Sequence, residues 1–252
     1  MLSLGRVRGS VSASAKGAWR YLAELAAEAD AVLAPSRHFA NQLESRGVAG
    51  QAYAVRGGVD DSLISVVRES PRAPRTRPLL VWLGRMSHEK RVLEFVEAIA
   101  LSGIDADVRL YGAGLLLEQV NARIAAHGLE DRVRLVGPVS HEAALAALRE
   151  ADALVQTSVG FETQGLTPFE AAALGTPTIF CDEAIADDAA VTPAWLVPDE
   201  SVEALASTLR DAVAQLQSAP GSLRVDSNQT SMFLQSAQTR RLVEIYERAI
   251  AR

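Results

Sequence analysis

From about residue 79 onward, short apolar and β-branched runs alternate with stretches in which apolar residues recur every three or four positions. A short, continuously apolar run is what a strand buried on both faces requires. The three-to-four spacing gives a helix with one apolar stripe. LLVWLG (79–84), ADVRLYG (106–112), RVRLVG (132–137), DALVQTS (152–158) and TPTIFC (176–181) are predicted strands, and AWLV (194–197) a short last one. Between them lie a predicted helix carrying Val92, Phe95, Val96 and Ile99, then LLLEQVNARIAAHG (115–128), stopped by Gly128, and HEAALAALREA (141–151). A further helix falls within 161–177, and SVEALASTLRDAVAQL (201–216) and SMFLQSAQTRRLVEIYERAI (231–250) close the chain. Strand and helix alternating at this spacing predict an α/β fold, a Rossmann-like, doubly wound parallel sheet.

Before residue 79 the pattern is thinner. AWRYLAELAAEA (18–29) predicts a helix, DAVLAPS (30–36) a strand leading into a helix at 37–46, and QAYAVRGGVD (51–60) a strand ending in a Gly57-Gly58 turn. RESPRAPRTRP (68–78) is rich in Pro and Arg and reads as a linker. The expected division is an N-terminal remnant over 1–67, the linker 68–78, the main domain 79–230, and a final helix over 231–252. That helix carries Phe233, Leu234, Leu242, Ile245 and Ala249, more apolar surface than a solvated helix needs, so it is expected to return to the N-terminal part. MLSLGRVRGSVSASAKGAWR has Arg6, Arg8, Lys16 and Arg20 and no acid. It reads as a disordered arm, with a peripheral anionic-lipid contact or the end of a longer upstream domain as the other readings.

Composition narrows the partners. Of 252 residues, 48% are hydrophobic, enough for a real core. The net charge of -6 disfavours nucleic acid, which needs a basic face. One cysteine, Cys181, excludes an internal disulfide, and its apolar neighbours make it a core residue. The four histidines show no metal-binding spacing, and no apolar run reaches the ~18 residues of a membrane span. A cytoplasmic protein, soluble or peripheral at the inner membrane face, is the expectation.

In an open parallel sheet, ligands bind beyond the carboxyl ends of the strands. The residues there are Gly84 to Lys90, Gly112-Ala113-Gly114, Gly137-Pro138 and the stretch after Ser158. Ser87 is a candidate N-cap, which would put Lys90 and Arg91 in a first helical turn. Cations there oppose the helix dipole by roughly 0.3–1 kcal/mol each. A bound anion would reverse that sign, so Arg85 and Lys90 form a candidate phosphate clamp; the plain alternative is two solvated side chains. Gly112-x-Gly114 opens like a dinucleotide fingerprint, but Leu117 stands where the third glycine belongs.

FETQGLTPFEAAALGTP (161–177) holds Glu162 and Glu170 on either side of Gly165-Leu166-Thr167-Pro168. Thr167 as N-cap, Pro168 at N1 and Glu170 at N3 would make a capping box, a sufficient structural role for Glu170. Glu162 has no such role. Two carboxylates flanking a helix start could grip hydroxyls on either side of a phosphate, the layout of a nucleotide-sugar.

Glu162-x7-Glu170 resembles the paired-glutamate (EX7E) signature of retaining glycosyltransferases of family 4, which have the GT-B fold. GRMSHEK (84–90), YGAG (111–114), RVRLVGPVSHEAALAALREADALVQTS (132–158) and a final helix with Tyr246 follow in the family's order. ADAVLAPSRHFANQL and VRGGVD resemble the end of the family's first domain and the crossing into its second. The resemblance covers about residues 29–250 and implies the C-terminal, donor-binding half of a GT-B fold with a truncated N-terminal α/β remnant. It implies that Arg85 and Lys90 bind the donor diphosphate and that Glu162 contacts the donor sugar, these three being the catalytic set. It further implies that Glu170 holds the ribose, that Gly165, Leu166 and Thr167 offer amides, and that Pro138 and Val139 line the base. The donor would be a UDP- or GDP-sugar, with no metal or other cofactor, and the acceptor a sugar or lipid. ETQGLT is similar to diacylglycerol glucosyltransferases, which points to a glycolipid. The loop DEAIADDAAVTPAW departs from the family pattern. With little of the acceptor domain in view, a rival reading is a non-catalytic nucleotide-sugar-binding module or half-enzyme. Such a module would need a partner chain or self-association. A nicotinamide oxidoreductase is the other rival, disfavoured by Leu117.

Overall fold

The computed structural model describes residues 13–160 and 165–251, in two compact units. The smaller unit comprises residues 1–57 and 239–252, the larger 58–238. Residues 1–12 of the expected arm lie outside the described residues; the rest of it is not disordered, since the chain is helical from Ala13. In the smaller unit come α1 (Ala13–Ala27), β1 (Val32–Ala34), α2 (Arg37–Ser45) and β2 (Ala52–Ala54). The two strands pair in parallel, Val32 opposite Ala52. Ser36 caps α2 by accepting the Phe39 amide at 3.1 Å, and Ala34, Ala40, Leu43 and Val48 make a small core. Arg46 stacks its guanidinium 4.4 Å from the centre of the Trp19 ring.

The larger unit contains α3 (Asp61–Glu69), β3 (Leu79–Leu83), α4 (Val92–Ser102), β4 (Asp107–Tyr111), α5 (Leu117–Ala126), β5 (Val133–Gly137), α6 (His141–Glu150), β6 (Ala153–Gln156) and α7 (Leu166–Ala173). After these come β7 (Thr178–Phe180), α8 (Glu183–Ala189), β8 (Ala194–Leu196), α9 (Val202–Ser218) and the short α10 (Ser227–Thr230); α11 (Gln235–Ile250) closes the chain and from Thr239 on belongs to the smaller unit. The six strands form one parallel sheet in the order β5-β4-β3-β6-β7-β8. Leu79, Leu80 and Val81 are fully buried, as a central parallel strand demands, each such side chain contributing roughly 1.5–3 kcal/mol. One face packs on α4, α5 and α9 through Phe95, Val120 and Leu209; the other on α3, α6, α7 and α8 through Ile64, Leu148 and Phe169. The doubly wound α/β sheet expected from the alternation is therefore present.

The compact division falls at Gly57/Gly58, before α3 and not after it. Helix α3 belongs to the larger unit because Ile64 and Val67 are buried in its core and Arg68 donates to the Ala173 carbonyl at 3.0 Å. The proline-arginine stretch is fastened too: Arg72 pairs with Asp152 at 2.6 Å and Arg75 with Glu150. Gly58 is less a turn than a close approach. A side chain there would lie 2.3 Å from the Gln235 backbone, where Val59 bonds to Phe233 and Gln235.

Candidate functional site

Strand β3 has β4 on one side and β6 on the other. The connections from β3 and β6 thus leave to opposite faces, and a crevice opens between their carboxyl ends. The loop after β3 carries Arg85 and Lys90; the loop after β6 leads to α7.

The glycines of these loops are there for packing. A Cβ on Gly112 would sit 1.9 Å from the Gly84 carbonyl oxygen, and one on Gly114 2.4 Å from that of Met86. The loops are laced together by Gly84 N–H to Tyr111 O, Met86 N–H to Ala113 O and Gly112 N–H to Gly137 O, all between 2.9 and 3.1 Å. This accounts for Gly112-x-Gly114 without a dinucleotide.

Ser87 does not start a long helix, as the sequence suggested. A single 3-10 turn covers His88–Lys90, Arg91 takes a left-handed backbone at φ 51°, and α4 begins after it. The Ser87 hydroxyl donates to Glu89 Oε1 at 2.6 Å instead of capping, and the Lys90 amide, at N3, goes to the Ser87 carbonyl at 3.0 Å. Lys90 and Arg91 therefore do not sit in the first turn of α4, and the dipole argument for a clamp does not hold in that form. What holds is placement. Arg85 is exposed beside the crevice, Lys90 is half-buried, and the Glu89 carboxylate lies close enough to feel both charges. Its pKa is held down first by the Ser87 hydroxyl and, to a lesser degree, by Arg85 and Lys90.

The backbone of Lys90 is anchored from β6. The Trp82 indole N–H donates to Thr157 Oγ1 at 2.8 Å, and the Thr157 hydroxyl donates to the Lys90 carbonyl. Trp82 and Thr157 are only 2% exposed, so this buried relay fixes the two sides of the crevice against each other. The sequence pattern hides it, since both residues read as ordinary strand positions.

Helix α7 also starts elsewhere than expected. Its N-cap is Gly165, at φ 71°, which a glycine adopts without strain. Thr167 and Pro168 lie inside the first turn, so Thr167 caps nothing and the expected capping box with Glu170 does not form. Proline is still accommodated, because no first-turn amide needs an intrahelical acceptor. Released from capping, Glu170 accepts a hydrogen bond from His141 Nε2 at 2.8 Å. Its side chain is 14% exposed, that of His141 55%. Leu166 is exposed, and the amides of Leu166 and Thr167 belong to the positive end of α7.

Pro138 and Val139 are exposed in the loop before α6, whose N-cap Ser140 accepts the Ala143 amide at 3.3 Å. Arg85, Lys90, Gly165, Leu166, Thr167, Glu170, Pro138 and Val139 thus all lie on loops or helix starts at the carboxyl edge of one sheet. Glu162 lies outside the described residues. Cys181, at the end of β7, is buried and its thiol is pushed up to about 12 by burial, which leaves it an inert core residue. Among the described residues no cluster of His, Cys, Asp and Glu could hold a metal ion, and no helix is long and apolar enough to cross a membrane.

The sequence is 33% identical over 151 residues to a 2-deoxystreptamine N-acetyl-D-glucosaminyltransferase of Streptomyces fradiae, a match covering 57% of this chain and 36% of that protein. It is 28% identical over 146 residues to a phosphatidyl-myo-inositol mannosyltransferase of Mycobacterium leprae, covering 56% and 37%. The chain thus spans little more than a third of the curated relatives it matches. In fold it resembles an Anabaena protein, HepE, solved in complex with UDP, with a TM-score of 0.73 at 18% identity, covering 92% of this chain and 68% of that one. Solved glycosyltransferases of GT-B architecture share its sheet. A family model described as glycosyl transferases group 1 matches residues 65–219, well over half of the chain and every element that forms the crevice, and the chain belongs to that family.

Proposed function

We propose that the crevice at the β3/β6 switch point binds a nucleotide-sugar, and that the protein transfers the sugar with retention of configuration. The observation that carries this reading is that the loop holding Arg85 and Lys90 and the connection into α7 leave neighbouring strands, β3 and β6, at one carboxyl edge of the sheet. Two cations and a set of helix-start amides suit a diphosphate, and they suit it better as charge develops on the leaving group. In this reading Arg85 and Lys90 neutralise the departing diphosphate, Leu166 and Thr167 donate amides, and Glu170 receives the ribose hydroxyls. Glu162 takes the donor sugar, and Pro138 and Val139 cover the base. UDP or GDP is the nucleotide, the UDP complex of the similar Anabaena protein favouring the first. A glycolipid acceptor is in keeping with the lipid named for the mycobacterial relative.

The experiment is titration calorimetry with UDP, GDP, their sugars and NAD, followed by transfer assays with sugar and lipid acceptors. Micromolar binding of a nucleoside diphosphate, abolished in an Arg85→Ala/Lys90→Ala double variant, is expected. Preference for NAD would overturn the reading. A second reading, a donor-binding module that transfers nothing alone, is favoured by the smaller unit, whose sheet has two three-residue strands among the described residues. Orientation of an acceptor can be worth roughly 7–11 kcal/mol of barrier, and two such short strands offer little surface to hold one. Multi-turnover transfer by the purified chain would eliminate this second reading.

A further inference from the structure

Glu170 is held by a residue that no resemblance singled out. An ionised carboxylate can only accept hydrogen bonds, so the 2.8 Å contact requires a proton on His141 Nε2. His141 opens α6, and α6 packs between α3 and α7. That packing sets the imidazole among carboxylates from its neighbours. Asp60, the N-cap of α3, faces it from one side; Glu170 of α7 meets it from the other; Asp61 on α3 and Glu142 on α6 are the nearest further acids in sequence. Asp60 is already committed. It accepts from the Ser62 amide at 2.8 Å, the Ser62 hydroxyl at 2.5 Å and the Leu63 amide at 3.0 Å. Asp61 is likewise committed to Ser236, accepting its amide at 3.0 Å and its hydroxyl at 2.5 Å. The hydrogen bond of His141 therefore goes to Glu170, whose side chain is mostly withdrawn from water and needs a donor.

We infer that His141 is a positioning residue for ribose recognition: its Nε2–H holds Oε1 of Glu170 and leaves Oε2 as the acceptor for a ribose hydroxyl. The inference rests on the reading of the crevice as a nucleoside-diphosphate site. Without the imidazole, the carboxylate keeps its charge but loses the contact that fixes its orientation. The diphosphate, gripped elsewhere, does not sense the change. His141 should thus govern how strongly the site distinguishes ribose from deoxyribose, and not how strongly it holds the phosphates.

The test is calorimetric binding of UDP, GDP and their 2′-deoxy counterparts to the full chain, the His141→Ala and His141→Gln variants, and Glu170→Gln. Thermal melting checks that each variant is folded. The wild-type chain should prefer the ribonucleotide. His141→Ala should shrink that preference by about three- to tenfold, the range of one hydrogen bond, with affinity for the deoxynucleotide unchanged. His141→Gln, whose side-chain amide also donates, should restore it, and Glu170→Gln should lower it. A His141→Ala variant that loses both ligands equally, or keeps its full preference, overturns the inference. So does failure of His141→Gln to restore what alanine removes. Tight wild-type binding indifferent to the 2′-hydroxyl overturns it while leaving the proposed function standing. Binding of neither UDP nor GDP by the wild-type chain overturns both.

Discussion

Basic residues gather at both edges of the larger sheet, and the two edges use them differently. Where the strands begin, the C-termini of α6 and α7 present carbonyls that lack intrahelical partners. Arg224 donates to Ala151 O at 2.9 Å, Leu174 O at 3.0 Å and Thr176 Oγ1 at 2.9 Å. Arg72 donates to Glu150 O and Ala151 O at 3.0 Å, besides its pairing with Asp152. Arg68 takes the Ala173 carbonyl. Burial, and then Arg72 and Arg149, push Arg224 down to about 9, a measure of how far it is withdrawn from water. Where the strands end, Arg85 is exposed on the loop after β3, at the edge where helices start and not where they stop. Guanidinium groups at negative helix ends complete the fold. At the edge where helices start, a cation gains nothing from the helix dipole, and a bound anion would reverse that sign.

The contrast is broken most directly at the first edge. Arg224→Ala should lower unfolding free energy by about 3–5 kcal/mol in urea titration, because it strands buried carbonyls of two helices, while nucleotide affinity in the surviving folded protein stays put. A loss below about 1 kcal/mol would mean that water replaces the guanidinium and that the edge is not structural. At the other edge Lys90→Ala should show the reverse pattern. Binding of UDP or GDP should weaken by about 1.5–3 kcal/mol, read by calorimetry, with the melting temperature flat. A drop in melting temperature with unchanged affinity would make Lys90 a structural residue like those below.

Thr157→Val sharpens the comparison, since it tests the link between core and site. It leaves the Trp82 indole N–H and the Lys90 carbonyl without their partner, so about 1–3 kcal/mol of stability should go, and nucleotide affinity should fall with it. Loss of stability alone would show that Lys90 keeps its place unaided. The smallest effect is expected from Glu89→Gln. The folded-state pKa of Glu89 lies below its ordinary value, so its contribution to stability is present above about pH 4.5 and is lost as pH falls through the lowered value. At neutral pH the substitution should cost no more than about 0.2–1 kcal/mol in stability. Removing an anion beside Arg85 and Lys90 should tighten UDP or GDP binding by up to about fivefold. Weaker binding would mean that Glu89 organises the cations instead of opposing them.

The periodicity of the chain was sufficient for the sheet, because strands buried on both faces must be continuously apolar and helices that cover them must carry one stripe. LLVWLG and its successors declare themselves on that ground, whereas the switch point appears only in the structure, where β3 pairs with both β4 and β6. The residues after β3 and β6 were legible as candidates because the strands before them were. Local starts were less legible. Ser87 and Thr167 are both good caps by composition, yet the structure passes them over. A left-handed Arg91 restarts the chain after a single turn, and Gly165 opens α7 two residues before Thr167. Cap propensities are worth about 1 kcal/mol, and packing of Met86 and Phe169 into the core outweighs them. The contacts that no pattern carries are those between residues distant in sequence. Trp82 to Thr157 spans 75 positions and His141 to Glu170 spans 29. Nothing local in either pair calls for the other. The sequence by itself determined which faces must be buried and in what order the strands come. Only the tertiary structure decided which polar side chains meet at the carboxyl edge, because that depends on how two helices settle on one sheet.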